Sequence, residues 1–171
     1  MNIKTKKILI DGFNLIYKFP ELEEKMRRND LEGAMKGLTA QVSQFAKKHG
    51  KLCTIIYDGK KKEGVNVESE TSGGIRIIYS INCTADYVIM QAIKNDKEPK
   101  MTTVVTSDRG IIGYLKKFGT PVISSDDFSE IIGQCEAEIA DETENKPVDV
   151  NLTADEMHYW EDIFIKRKNG K

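Results

Sequence analysis

Short apolar runs in this chain end at an aspartate or just before one. They are K-I-L-I-D at 7–11, L-C-T-I-I-Y at 52–57 before Asp58-Gly59, and M-T-T-V-V-T at 101–106 before Ser107-Asp108. Runs of this length with turn residues at their ends read as buried strands. Two more strands are expected at 75–79 and 120–123. Between the strands, apolar residues recur at three- and four-residue spacing. Leu31, Ala34, Met35, Leu38, Val42, Phe45 and Ala46 mark a helix over 30–49, stopped by His49-Gly50. Ala85, Val88, Ile89, Ala92 and Ile93 mark a second over 84–94. Ser107 is expected to cap a helix running to about Lys117, and Asp126 or Asp127 to open another. The polar, glycine-punctuated stretch 60–74 reads as a loop. Strands alternating with helices imply an α/β fold with a mainly parallel sheet covered on both faces.

The chain has 171 residues, enough for one domain with a short appendage and a core that needs no disulfide or structural metal. Residues 1–140 read as the domain. The polar segment 141–152, with Pro147, reads as a linker, and 153–171 as a helical appendage with Met157, Trp160, Ile163 and Phe164 on one face. That face is expected to dock on the body, with a partner-binding face as the alternative. Cys53, Cys83 and Cys135 are far apart with no C-x-x-C, which argues against a disulfide framework or a zinc site. The lysine-rich start precedes an apolar run too short for a signal peptide, and no stretch approaches a membrane span, so a cytoplasmic location is expected. With a formal net charge of -1, the whole chain exerts no global pull on nucleic acid, and any RNA contact must come from local patches.

In a parallel sheet the carboxyl ends of the strands share one edge, where ligands bind. Asp11, Asp58 and Asp108 fall at that edge, and Asp86 falls in the first turn of the helix after the third strand. Each has a plainer role available. Acids favour first helical turns, and Asp58-Gly59 is a common turn signal. Together, like charges crowded at one edge repel and resist desolvation, and such a cluster suits a hard cation, Mg²⁺ or Mn²⁺, bound by oxygen alone. That centre suits phosphodiester hydrolysis. His49 and His158 are the only histidines, at a helix end and in the tail, which leaves little room for a Ser-His-Asp or Cys-His site. No glycine-rich nucleotide cradle is present.

The strings I-L-I-D-G-F-N-L-I (8–16), I-I-Y-D-G (55–59), I-R-I-I-Y-S (75–80), T-A-D-Y-V-I (84–89) and V-V-T-S-D-R (104–109) resemble, in matching order, the YacP-like branch of the NYN domains, which are PIN-like nucleases. The segment L-T-A-D-E-M-H-Y-W resembles that branch too. The resemblance implies a three-layer α/β sandwich with a C-terminal helix and an endoribonuclease centre binding Mg²⁺ or Mn²⁺. Its implied substrate is single-stranded messenger RNA, with the ribosome as a candidate partner. Asp11, Asp86 and Asp108 match the family aspartates and Asn14 the asparagine of the first motif. Phe13 departs from the more usual tyrosine.

The candidate centre is therefore Asp11, Asp86 and Asp108 as catalytic and metal-binding residues, with Asp58 as a further metal ligand. Asp126, Asp127 and Glu130 are candidates for an outer carboxylate, although helix capping explains them equally well. Candidate substrate contacts are Asn14, Ser107, Arg109, Lys60 and Lys61, the lysines belonging to the run 60–62 that follows Asp58. Tyr57, Tyr79 and Tyr87 are candidates for base stacking, the first two reading more readily as core. Two other functions compete: a module of the same fold that binds RNA or ribosomes without cutting, and a phosphoryl-signalling or phosphatase domain. The last lacks the adjacent acids at the first strand that a receiver would want, and Phe13 stands where a haloacid-dehalogenase-like phosphatase would want its second acid.

Overall fold

The computed structural model describes residues 3–59 and 67–144. Its centre is a six-stranded sheet in the order β3-β4-β2-β1-β5-β6. The strands are β1 Lys7–Asp11, β2 Leu52–Asp58, β3 Val67–Ser72, β4 Ile75–Ser80, β5 Thr102–Val105 and β6 Val122–Ile123. All neighbours pair in parallel except β3 and β4. The helices are α1 Gly12–Ile16, α2 Pro20–Arg27, α3 Leu31–His49, α4 Ala85–Lys94, α5 Arg109–Leu115 and α6 Ser125–Glu144.

Alternation along the strands sorts the core into two layers. Ile8 and Ile10 of β1, Ile55 and Tyr57 of β2, Ile75 and Ile77 of β4, Val105 and Ile123 pack with Leu15, Leu22, Leu38, Val42, Phe45, Phe128 and Ile132. Those last seven come from α1, α2, α3 and α6. The opposite set, Leu9, Ile56, Ile78, Val104 and Val122, packs with Ala85, Ile89 and Ile93 of α4 and Ile111 and Leu115 of α5. A sheet covered on both faces buries its central strands from both sides, which is why β1, β2 and β5 read as nearly unbroken apolar runs. The expected α/β sandwich with a mainly parallel sheet is what the chain forms.

The helix ends follow from local chemistry. Asp30 caps α3 by accepting from the Gly33 amide at 2.9 Å, and Gly50 ends it in the left-handed region at φ +60. Thr84 caps α4 through the Tyr87 amide at 3.2 Å. Ser124 caps α6, accepting from the Asp127 amide at 3.0 Å while donating to the Asp127 carboxylate at 2.7 Å.

Three readings need correction. Part of the expected loop 60–74 is a strand: β3 runs antiparallel to β4, with Ser72 opposite Ile75 across a two-residue Gly73-Gly74 turn. Both glycines have positive φ, +58 and +81, which suits a tight hairpin turn that ordinary residues resist. The polar sequence V-E-S-E-T-S concealed the strand because it lies at a sheet edge and needs no apolar face. Second, the cap of α5 is Asp108 rather than Ser107. Third, α6 runs on to Glu144, so residues 141–144 are helical where a linker was expected. The rest of that linker, the helical appendage over 153–171, and Lys60 and Lys61 lie outside the described residues. Among the described residues no helix is long and apolar enough to cross a membrane.

Candidate active site

The chain passes from β1 through α1, α2 and α3 to β2 on one side, then reaches β5 on the other side of β1. The strand order thus reverses between β1 and β5, and a crevice opens at the carboxyl ends of such a pair. Asp11 is the last residue of β1 and Asp108 follows β5 by three residues, so the two acids flank that crevice. Asp58 ends β2 on the far side of β1, and Asp86 enters from the first turn of α4.

Asp11 is 6% exposed and is held from two sides. Its carboxylate accepts from the Asn14 side-chain amide at 2.8 Å, the Asn14 backbone amide at 3.3 Å and the Thr106 hydroxyl at 3.2 Å. It thereby caps α1. Thr106 is fully buried, and its hydroxyl oxygen also accepts from the Asp108 amide at 3.1 Å, so one side chain ties the end of β1 to the loop bearing Asp108. The Asp108 carboxylate accepts from the Ile111 amide at 2.9 Å, which fixes it at the head of α5. Asp58 accepts from the Ser80 hydroxyl at 3.0 Å and the Ala85 amide at 2.7 Å, which pins the start of α4 to the end of β2. Thr106 and Ser80 were missed in the sequence. The signal for Thr106 lay in the T-S-D string, but a buried hydroxyl in a strand carries no mark of its partner.

Burial pushes the Asp11 carboxyl above its ordinary range. Asp58 adds to the shift, against the bonds from Asn14 and Thr106. Asp86 is raised by burial first, then by Asp108, Asp11 and Asp58 in turn. Asp86 therefore feels all three other acids, the signature of charges that share one region. No Lys or Arg pairs with any of the four among the described residues. Nor do three or more His, Cys, Asp or Glu side chains close into a ready-made metal cage among those residues. The donor set is nevertheless all carboxylate. Mg²⁺ commonly takes one or two protein carboxylates and completes its shell with water and substrate phosphate, so the residues fit such an ion without a closed cage.

The remaining candidates divide. Asn14 is committed to Asp11. Ser107 accepts from the Ser125 amide at 3.1 Å and so supports the start of α6. Arg109 is exposed as the first residue of α5. Asp126 pairs with Lys18 at 2.8 Å, Asp127 is occupied by the Ser124 cap, and Glu130 is exposed on α6. Tyr57 is fully buried, with the half-buried Phe13 ring 5.2 Å away between centroids. Phe13 therefore serves as packing against the core beneath the Asp11 turn. Tyr79 is half-buried and donates to Glu70 at 2.7 Å. Tyr87 is 52% exposed, beside Asp86.

The mostly parallel α/β sheet carries Asp11 and Asp58 at strand ends and Asp108 just beyond β5, all at its carboxyl-terminal edge. The chain belongs to the YacP-like NYN domain family, whose pattern it matches over residues 8–165. Among solved structures it is similar to Rae1 (YacP) from Bacillus subtilis, with a TM-score of 0.67 and 19% identity over 95% of this chain and 92% of that one. It is also similar to a tryptophan-to-leucine variant of the same protein, with a TM-score of 0.71 and 19% identity over 90% and 91%. No curated protein matches it.

Proposed function

We propose that this chain is an endoribonuclease that uses Mg²⁺ or Mn²⁺ to hydrolyse phosphodiester bonds in single-stranded RNA. The observation that carries the reading is the placement of Asp11, Asp58, Asp86 and Asp108 at the carboxyl-terminal edge of the sheet with no ion pair to any of them among the described residues, where burial first, and then Asp108, Asp11 and Asp58, raise the Asp86 carboxyl. Uncompensated like charge costs stability, and a cation-dependent activity is the ordinary reason to retain it. Asp11, Asp86 and Asp108 would hold the ion, with Asp58 further out. When bound, it lowers the pKa of an attacking water and offsets charge on the phosphate. The chain's own part is positional. Asn14 and Thr106 fix the Asp11 carboxylate, the Ile111 amide fixes Asp108, and Asp58 fixes the start of α4 that carries Asp86. Membership of the YacP-like NYN family supports the choice of RNA, and we extend the reading to messenger RNA in the cytoplasm, with the ribosome as a partner.

The test is cleavage of an internally labelled single-stranded RNA with Mg²⁺ or Mn²⁺. The expected result is internal cuts that vanish in excess EDTA and in the Asp11→Asn/Asp86→Asn double variant. Full activity under either condition overturns the reading. Tight RNA binding that ignores metal, with no product at long times, favours the non-cleaving module instead.

A further inference from the structure

A cleft of about 390 Å³ opens between α4 and α5, with Asp86 and Asp108 among its lining residues together with Met90, Gly113, Tyr114 and Lys117. We propose that it seats the nucleotide next to the scissile bond of a single-stranded RNA, with Lys117 contacting that nucleotide's phosphate and Tyr114 and Met90 flanking its sugar and base. The proposal rests on the nuclease reading above and names where the strand continues from the acids.

Gly113 gives the first reason. It lies within α5, its φ is not positive, and a Cβ built there meets nothing within 4 Å. Neither backbone conformation nor packing calls for glycine at this position, yet glycine is the poorest helix former after proline. Its effect is to leave the cleft wall bare next to the acids. The second reason is the charge layout. The cleft carries carboxylates at Asp86 and Asp108 and an ammonium at Lys117, which sits 5.5 Å from the centroid of the Tyr114 ring and forms no ion pair among the described residues. The Tyr114 ring is itself backed by Phe118 at 5.3 Å between centroids. A lysine held over an aromatic ring rather than by an acid keeps its charge available to a phosphate, and the ring edge and Met90 offer an apolar flank for a base. The volume is also at the small end of ligand sites, right for one nucleotide rather than a folded RNA.

The test uses the full chain and steady-state cleavage of a short single-stranded RNA, alongside thermal melting. Gly113→Leu should fill the cleft. It is expected to melt no lower than the parent, because leucine is the better helix former, while KM rises about tenfold or more. Lys117→Ala should raise KM about tenfold with kcat largely kept, as for loss of one charge-assisted hydrogen bond. It should also flatten the log–log salt dependence of RNA affinity by about 0.7, the value for one phosphate contact on a single strand. Lys117→Arg should restore both. Parental KM and salt slope in Gly113→Leu and Lys117→Ala overturn the cleft while the nuclease reading stands. A parent chain that neither binds nor cuts the RNA overturns both.

Discussion

The two ends of β1 treat an aspartate in opposite ways. At the amino end, Lys7 reaches Asp96 at 2.6 and 2.8 Å, and the Thr102 hydroxyl and Glu98 amide add bonds at 2.7 and 3.0 Å. Burial works against the Asp96 charge, but these partners outweigh it and pull its pKa down to about 2. At the carboxyl end, Asp11 is pushed up by burial and, to a smaller extent, by Asp58, and Asp86 by burial and then by Asp108, Asp11 and Asp58. A structural carboxylate is neutralised by the protein itself. The acids at the crevice are oriented by neutral donors and by backbone amides, so their charge is left for something from outside. Position and hydrogen bonding look alike at the two ends, and the presence or absence of a cation partner separates them.

The largest expected difference is in activity. On the proposed function, Asp108→Asn should lower RNA cleavage by about 10²–10³-fold, the scale of losing one group that stabilises charge in the transition state. Asp96→Asn should leave kcat and KM close to parental values. Equal losses in the two variants would erase the distinction between the ends of β1. The order reverses for folding. Asp96 and Lys7 side chains are 16% and 42% exposed, so the lysine can regain water once its partner is gone, and the expected cost is about 1–2 kcal/mol in urea unfolding. The Asp96 contribution also has a sign in pH. Its folded pKa is depressed, so the stabilisation is present above the ordinary value of 3.8 and drains away as pH falls towards about 2. Parent and Asp96→Asn should therefore converge in stability across that window.

Thr106 sharpens the comparison at an intermediate scale. Thr106→Val keeps the shape and removes the hydroxyl that donates to Asp11 and accepts from Asp108. Expected outcomes are a stability cost of about 1–2 kcal/mol and a roughly tenfold lower kcat with KM nearly unchanged, because the acids are displaced rather than removed. An unchanged kcat would mean that the link between β1 and β5 is only structural.

How far the residues announced all this depends on what each signal requires. The central strands and α3, α4 and α5 were legible because burial on one or two faces forces periodicity. The strand β3 was hidden by its polar edge, and its trace was the Gly73-Gly74 pair. The placement of Asp11, Asp58 and Asp108 at one edge followed from strand ends alone, since parallel strands share a direction. Their supports were not legible. Thr106, Ser80 and Asn14 act through distances between segments far apart in the chain, or, for Asn14, through a single turn whose geometry the residue type does not reveal. The Asp96 clasp was missed for the same reason: Lys7, Asp96 and Thr102 come together only once β1 and β5 pair.

The smallest effect concerns the cost of the crevice itself. A carboxyl raised in the folded state favours folding most when protonated, so that advantage is present below its ordinary pKa and lost as pH rises through the folded value. Asp86→Asn removes the repulsion that Asp86 shares with Asp108, Asp11 and Asp58. It also gives up a favourable negative charge in the first turn of α4, a loss of about 0.3–1 kcal/mol. The two partly cancel, and with EDTA present at neutral pH the variant should melt higher by about 1–3 °C. Millimolar Mg²⁺ should narrow or reverse that gap, because an ion that binds only the folded parent stabilises it by mass action. Asp96→Asn, measured beside it, should melt lower with and without Mg²⁺. If Asp86→Asn also melts lower in EDTA and Mg²⁺ moves neither protein, then the acids of the crevice are already balanced within the chain, and the two ends of β1 do not differ in how their charge is met.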